Sequence, residues 1–124
     1  MNQELTDAEK NIMFKGATEP AFSGTLLDEK RDGAFYCKNC NHLLFESDTK
    51  FDSGSGWPSF TEPVNTQNVT LHNDVSIGMN RVEVGCANCQ AHLGHVFPDG
   101  PIDRGGDRYC INSACLIFTP KDEK

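Results

Sequence analysis

A chain of 124 residues, 37% of them apolar, is long enough for one domain and one core, with little to spare. Eleven basic side chains against 18 acidic ones leave a net charge of −7, which excludes the basic surface that a nucleic-acid backbone requires. No run approaches the roughly twenty apolar residues of a membrane span. Met1-Asn2-Gln3-Glu4-Leu5 carries no basic region followed by an apolar run, so a single domain over residues 1–124 in the cytoplasm is expected.

Eleven glycines and six prolines favour strands and turns over long helices. Thr6 and Glu9 form the capping box T-x-x-E ahead of Ile12, Met13 and Phe14. This predicts a helix over residues 7–15 that stops at Gly16. Pro20 keeps Glu19 out of helical geometry, so residues 18–24 read as an extended loop that completes an N-terminal wrapping segment, 1–24, with Phe22 as its anchor. Asp32-Gly33 is a hairpin-type signal, followed by the short strands Ala34-Phe35-Tyr36 and Leu43-Leu44-Phe45 around Cys37-x-x-Cys40. Glycines on both sides of Ser55 and Pro58 after Trp57 hold the one tryptophan on a rigid turn, either as a core plug or as a pocket wall. Val69-Thr70-Leu71-His72 reads as a strand, and Arg81-Val82-Glu83-Val84 alternates as a half-buried one. His42 and His72 are expected at the surface. The last residues, 121–124, are expected to fray.

Six cysteines divide by spacing. Cys37-x-x-Cys40 and Cys86-x-x-Cys89 are two knuckles, and Cys110 and Cys115 stand apart. Two matched knuckles specify one four-thiolate site; soft thiolates select zinc or an iron–sulfur centre over hard cations, and zinc is favoured because no redox-cofactor motif accompanies them. Four sulfur ligands leave no open position, so this zinc is structural and ties two hairpins together.

His92 and His95 follow the second knuckle in what reads as a loop. Imidazoles three residues apart serve equally as hydrogen-bonded structural groups, metal ligands or proton donors to a substrate. Cys110 lies in a β-like run with Asn112 on the same face. A cysteine in that setting is a small buried hydrophobe or, with a positive neighbour, a nucleophile.

Together, Cys37/Cys40, Phe51-Asp52-Ser53-Gly54, Gly56-Trp57-Pro58-Ser59-Phe60, the run from Arg81 through Cys86, Cys89 and His92-Leu93-Gly94-His95-Val96-Phe97, Asp99-Gly100-Pro101 and Arg108-Tyr109-Cys110-Ile111-Asn112-Ser113 resemble the B-type peptide methionine sulfoxide reductases over residues 6–120. The resemblance implies a mainly β fold of two antiparallel sheets with a short N-terminal helical segment, stapled by one zinc on the side away from catalysis. It implies thiol-dependent reduction of the R epimer of peptide-bound methionine sulfoxide, with Cys110 as nucleophile passing through a sulfenic acid. Carried over residue by residue, His95, His92 and Asn112 organise the sulfoxide oxygen and a water. Trp57, with Phe97 and Tyr109, receives the substrate. The partners implied are oxidised protein or peptide methionine and thioredoxin or another thiol reductant. A monomer is expected. Two other classes share part of the pattern: a zinc ribbon presenting an aromatic–histidine pocket to a protein, and a zinc hydrolase with His92 and His95 as ligands.

The chain departs from that pattern at one position. Many family members carry a resolving cysteine immediately before Gly-Trp-Pro-Ser-Phe, and here Ser55 stands there. Cys115 is a poor substitute in an unbroken strand. An offset of five residues puts it on the opposite face, with its Cα roughly 16 Å away, against the less than about 7 Å that a disulfide needs. Strict alternation would also place Leu116 and Phe118 on the Cys110 face. Cys115 is therefore expected as a buried hydrophobe, and the Cys110 sulfenic acid is expected to be reduced directly by an external thiol.

Overall fold

The structure is a computed structural model that describes residues 5–74 and 81–121. The expected tail lies, apart from Lys121, outside the described residues. The predicted helix forms as α1, Asp7–Lys15, with the Thr6 and Glu9 capping box closed at both ends and a left-handed Gly16 at the C-cap. Its buried Ile12 and Met13 pack it against the sheet that carries the site.

The strands among the described residues are β1 (Gly33–Cys37), β2 (Leu43–Glu46), β3 (Lys50–Phe51), β4 (Ser59–Phe60), β5 (Val69–Asp74), β6 (Arg81–Cys86), β7 (His92–Phe97), β8 (Arg108–Ile111) and β9 (Leu116–Pro120). They form two antiparallel sheets, in the orders β2-β1-β9 and β3-β4-β8-β7-β6-β5. The core between them is aromatic. Phe45 stacks on Phe60 at 4.3 Å between ring centroids, and Phe35 meets Phe60 edge-on at 5.1 Å. These rings are fully buried, and burying each contributes on the order of 2–3 kcal/mol.

Three expectations need correction. Phe22 is 70% exposed and does not anchor the wrapping segment by its ring. Its backbone does so instead: the Phe22 N–H donates to the Gly56 carbonyl at 2.7 Å. Asp32-Gly33 is not the turn of a hairpin, because Gly33 opens β1, whose partners are β2 and β9. The C-terminal run does not alternate through to Phe118. β8 ends at Ile111, a 3-10 turn over Ser113–Cys115 follows, and β9 leaves for the other sheet.

Candidate active site and metal centre

Cross-strand pairing builds the active face as one row. Ser59 of β4 lies opposite Cys110 of β8, and Cys110 lies opposite His95 of β7. The row continues with Glu83 of β6 opposite His95 and His72 of β5 opposite Glu83. Paired residues share a face, so the thiol, the imidazole and the carboxylate stand in line. Alternation sends Tyr109 and Ile111 through the sheet into the core.

His92 joins this face because β7 is bulged. Val84 pairs with Gly94 and Gly85 pairs with His92, which leaves Leu93 as the extra residue. In an unbroken strand, side chains three apart point opposite ways; one extra residue turns His92 round. The two imidazoles stand 5.4 Å apart at 66°. Both histidines are thus on a strand paired on both sides, not in a loop. His92 Nδ1 donates to Glu83 Oε2 at 2.6 Å, since a carboxylate only accepts.

Thr18, Trp57, Arg81, Gly94, His95, Phe97, Cys110 and Asn112 line a cleft of about 80 Å³. Trp57 is half-buried and walls this cleft, with its indole N–H donating to the Glu19 carbonyl at 3.0 Å. Gly56 permits that approach: its φ is +96°, and a Cβ there would sit 2.7 Å from Ala21 Cβ. Phe97 lies beside His95 at 6.4 Å, beneath the Arg108 guanidinium at 4.6 Å. His92 stands behind His95 rather than on the cleft wall. Tyr109 is not at the cleft: it is buried, with its ring 6.0 Å from Phe45.

Burial pushes the Cys110 thiol above its ordinary pKa, against hydrogen bonds from Ser55 and Ser59 and the charge of Arg108. Ser55 Oγ is 3.6 Å from Cys110 Sγ, Ser53 Oγ donates to Ser55 at 2.8 Å, and Ser53 and Ser59 are 2.7 Å apart. A hydroxyl network therefore wraps the sulfur. Arg108 is fixed by Asp99 at 2.9 Å. Asn112 is 3% exposed and engaged at both ends, donating to the Leu93 carbonyl at 2.9 Å and accepting from the Glu19 N–H at 3.0 Å. Cys115 is fully buried, donates to the His92 carbonyl at 3.3 Å, and is pushed far up by that burial.

Sequence reasoning missed Thr18, Glu19, Arg81, Glu83 as the partner of His92, and the serine network. The alternation of β6 and the motif around Trp57 hold all but the first two. Nothing local marks Thr18 or Glu19.

The sulfurs of Cys37, Cys40, Cys86 and Cys89 all lie within 4.8 Å of one another. The Cys37–Cys89 and Cys40–Cys86 separations are 3.7 and 3.6 Å. Tetrahedral zinc with bonds of about 2.3 Å needs sulfurs about 3.8 Å apart. The donor set and its spacing therefore fit one zinc ion, held where β1 and β6 end in their knuckles.

Paired β-strands thus carry a cysteine–histidine row, an indole-walled cleft and a separate four-cysteine cluster that fits a metal ion, the frame of a β-sheet oxidoreductase domain. The SelR domain family matches residues 5–120, and the chain belongs to that family. Relatives from Escherichia coli strains SE11 and 55989, each named peptide methionine sulfoxide reductase MsrB, are 50% identical over 119 residues, covering 96% of this chain and 86% of theirs. A crystal structure of the Mis18 "Yippee-like" domain shares the fold, with a TM-score of 0.53 at 21% identity over 72% of this chain and 96% of that one.

Proposed function

We propose that this chain is a peptide methionine sulfoxide reductase that reduces the R epimer through a sulfenic acid on Cys110. The observation that carries the reading is the pairing of Cys110 with His95 on one face, open to a cleft walled by Trp57. The substrate methyl group rests on the indole, and its oxygen points to His95. The Cys110 thiolate attacks the sulfoxide sulfur as His95 protonates the oxygen. Attack joins the two sulfurs; the protonated oxygen then passes as hydroxide from the substrate sulfur to Cys110 Sγ, and the sulfur–sulfur bond breaks with its electron pair left on the substrate, which gives methionine and the Cys110 sulfenic acid.

Ser55 cannot resolve that acid. An external thiol such as thioredoxin attacks the Cys110 sulfur and releases water, and a second thiol frees the enzyme. His92, held by Glu83, orients His95. Zinc, bound by the four knuckle cysteines, supplies a cross-link and no chemistry at the cleft.

The test uses reduced protein without added reductant, treated separately with the two epimers. Free thiols are then counted and a sulfenic-acid trap is mapped by mass spectrometry. One thiol consumed by the R epimer alone, trapped at Cys110, is the expected result. Reaction with neither epimer by folded, zinc-loaded protein hands the fold to the binding-module reading. A metal-dependent activity that survives Cys110→Ser hands it to the hydrolase reading.

A further inference from the structure

Glu19 lies outside every chemical motif, yet it is 7% exposed and makes hydrogen bonds through every polar atom it has. Its carbonyl accepts from Trp57 Nε1 at 3.0 Å, and its N–H donates to Asn112 Oδ1 at 3.0 Å. Its carboxylate accepts from the Ser113 and Ala114 N–H groups at 3.0 and 2.9 Å, capping the 3-10 turn that follows Asn112. The chain is pinned again just past the wrapping segment, where the Leu26 N–H donates to Ser113 Oγ at 2.9 Å. The backbone of one residue thus bridges two walls of the cleft, and a charge-assisted clamp fixes that residue to the sheet.

We propose that Glu19 is a positioning residue that sets epimer selectivity, by holding Trp57 and Asn112 at one fixed separation. The proposal rests on the reductase reading above. A flat indole accepts a methyl group from either epimer. The two epimers differ only in where the oxygen falls once the methyl group and the peptide end are placed. Discrimination therefore requires that the indole wall not move relative to β7, which carries His95 and to which Asn112 is tied through the Leu93 carbonyl. The main chains of the two walls meet where the Ile111 N–H donates to the Pro58 carbonyl at 2.9 Å, and their side chains are joined through the backbone of residue 19, with no flexible side chain of that residue between the two hydrogen bonds. Releasing the carboxylate from the turn frees residue 19 and lets the indole and the Asn112 side chain shift relative to each other.

The test is Glu19→Gln, which keeps the size but offers one acceptor where two N–H groups need one each. Steady-state rates are measured for the R and S epimers of an acetylated methionine sulfoxide peptide with excess dithiothreitol. The ratio of kcat/KM for R over S is expected to fall by about tenfold or more. Emission from Trp57, the only tryptophan, is expected to shift to the red as its N–H bond loosens. A merely structural role would lower both epimers in proportion, so an unchanged ratio overturns the proposal. Should Glu19→Gln fail to fold, Glu19→Asp, which retracts the charge by one methylene, carries the same test of the ratio. Wild-type protein that reduces neither epimer defeats the reductase reading itself, and this proposal with it. Wild-type selectivity retained by a folded variant defeats only the role given to Glu19.

Discussion

The hydroxyl oxygen of Ser55 stands 3.6 Å from the sulfur of Cys110, the one cysteine among the residues that line the cleft. Position 55 is the one at which the family resemblance leads one to expect a resolving cysteine. A sulfur at position 55 would sit at about the same separation, and closing to about 2.05 Å needs only a small turn of the glycine-flanked loop. Ser55→Cys should therefore change the count of thiols lost per substrate from one to two and leave a disulfide between position 55 and Cys110. Wild-type protein should lose one. Two thiols lost by the wild type, with Cys110 bridged to Cys115, would contradict the burial of Cys115 described above.

Burial holds the Cys110 thiol protonated near neutrality, with Arg108 and two serine hydroxyls opposing it less strongly. The rate of iodoacetamide alkylation at Cys110 should keep rising above about pH 8.5, the ordinary cysteine value. Arg108→Ala removes the positive charge and should slow alkylation further at pH 8. The same shift has a consequence for stability. The folded state binds this proton more tightly than the unfolded state, so its contribution is complete below the ordinary value and fades as pH rises through the folded one. Denaturant titrations of wild type and Cys110→Ala should accordingly diverge less at pH 10 than at pH 7. A thiol that alkylates with a midpoint near pH 6 would refute this account.

Glu83 accepts from His92 Nδ1 at 2.6 Å, which fixes the tautomer and holds the ring 5.4 Å from that of His95 at 66°. Glu83→Gln can satisfy His92 only weakly, and its amide can donate to Nδ1 and select the other tautomer. Turnover should fall by roughly tenfold to a hundredfold, and the acidic limb of the pH–rate profile should move. Nitrogen chemical shifts of His92 would report the tautomer directly. Unchanged shifts and rate in Glu83→Gln would show that the carboxylate does not orient the ring.

Much of this was legible in the chain, because some of its signals are local. The α1 capping box spans four residues, and each knuckle spans four, so pattern and structure coincide there. The row Ser59–Cys110–His95–Glu83 exists only after strands far apart in sequence have paired. The common face of His92 and His95 depends on a bulge that alternation cannot reveal. Glu19 is farther still from legibility, since its bond partner Asn112 lies 93 residues away. Phe22 misled because apolarity predicts burial, whereas its φ of 64° turns the ring outward while the backbone bonds to Gly56. Cys115 was expected to be buried, and it is, but by a 3-10 turn rather than by strand alternation.

The four knuckle sulfurs should bind one zinc per chain, measurable by metal analysis of the purified protein. Cys86→Ser removes a buried ligand at the end of β6 and should abolish stoichiometric zinc. Structural zinc sites hold apparent binding energies of about 10–16 kcal/mol at neutral pH, much of it coupled to folding. Chelation should therefore unfold the protein, and turnover should disappear with the fold rather than ahead of it. Zinc-free protein that keeps its thermal transition would show that the knuckles carry some other burden.

Gly94 is the tightest point of the site. It lies between the two histidines, opposite Ile111, and a Cβ there would fall 2.1 Å from the Cys110 carbonyl oxygen and 2.9 Å from Ile111 Cα. Both neighbours are backbone, so neither can rotate away, and β7 must separate from β8 where His95 meets Cys110. Gly94→Ala should cost on the order of 1–3 kcal/mol or more in urea unfolding, as overpacking does elsewhere. It should also lower turnover in the fraction that remains folded, because the separation opens between Cys110 and His95, the nucleophile and proton donor proposed above. The comparison with Gly105→Ala is informative, since a Cβ there meets nothing within 4 Å, although its φ of +104° makes the side chain strained. That variant should lose stability while keeping the turnover of its folded fraction. Equal turnover in the two folded variants would mean that the spacing of β7 and β8 does not govern the reaction.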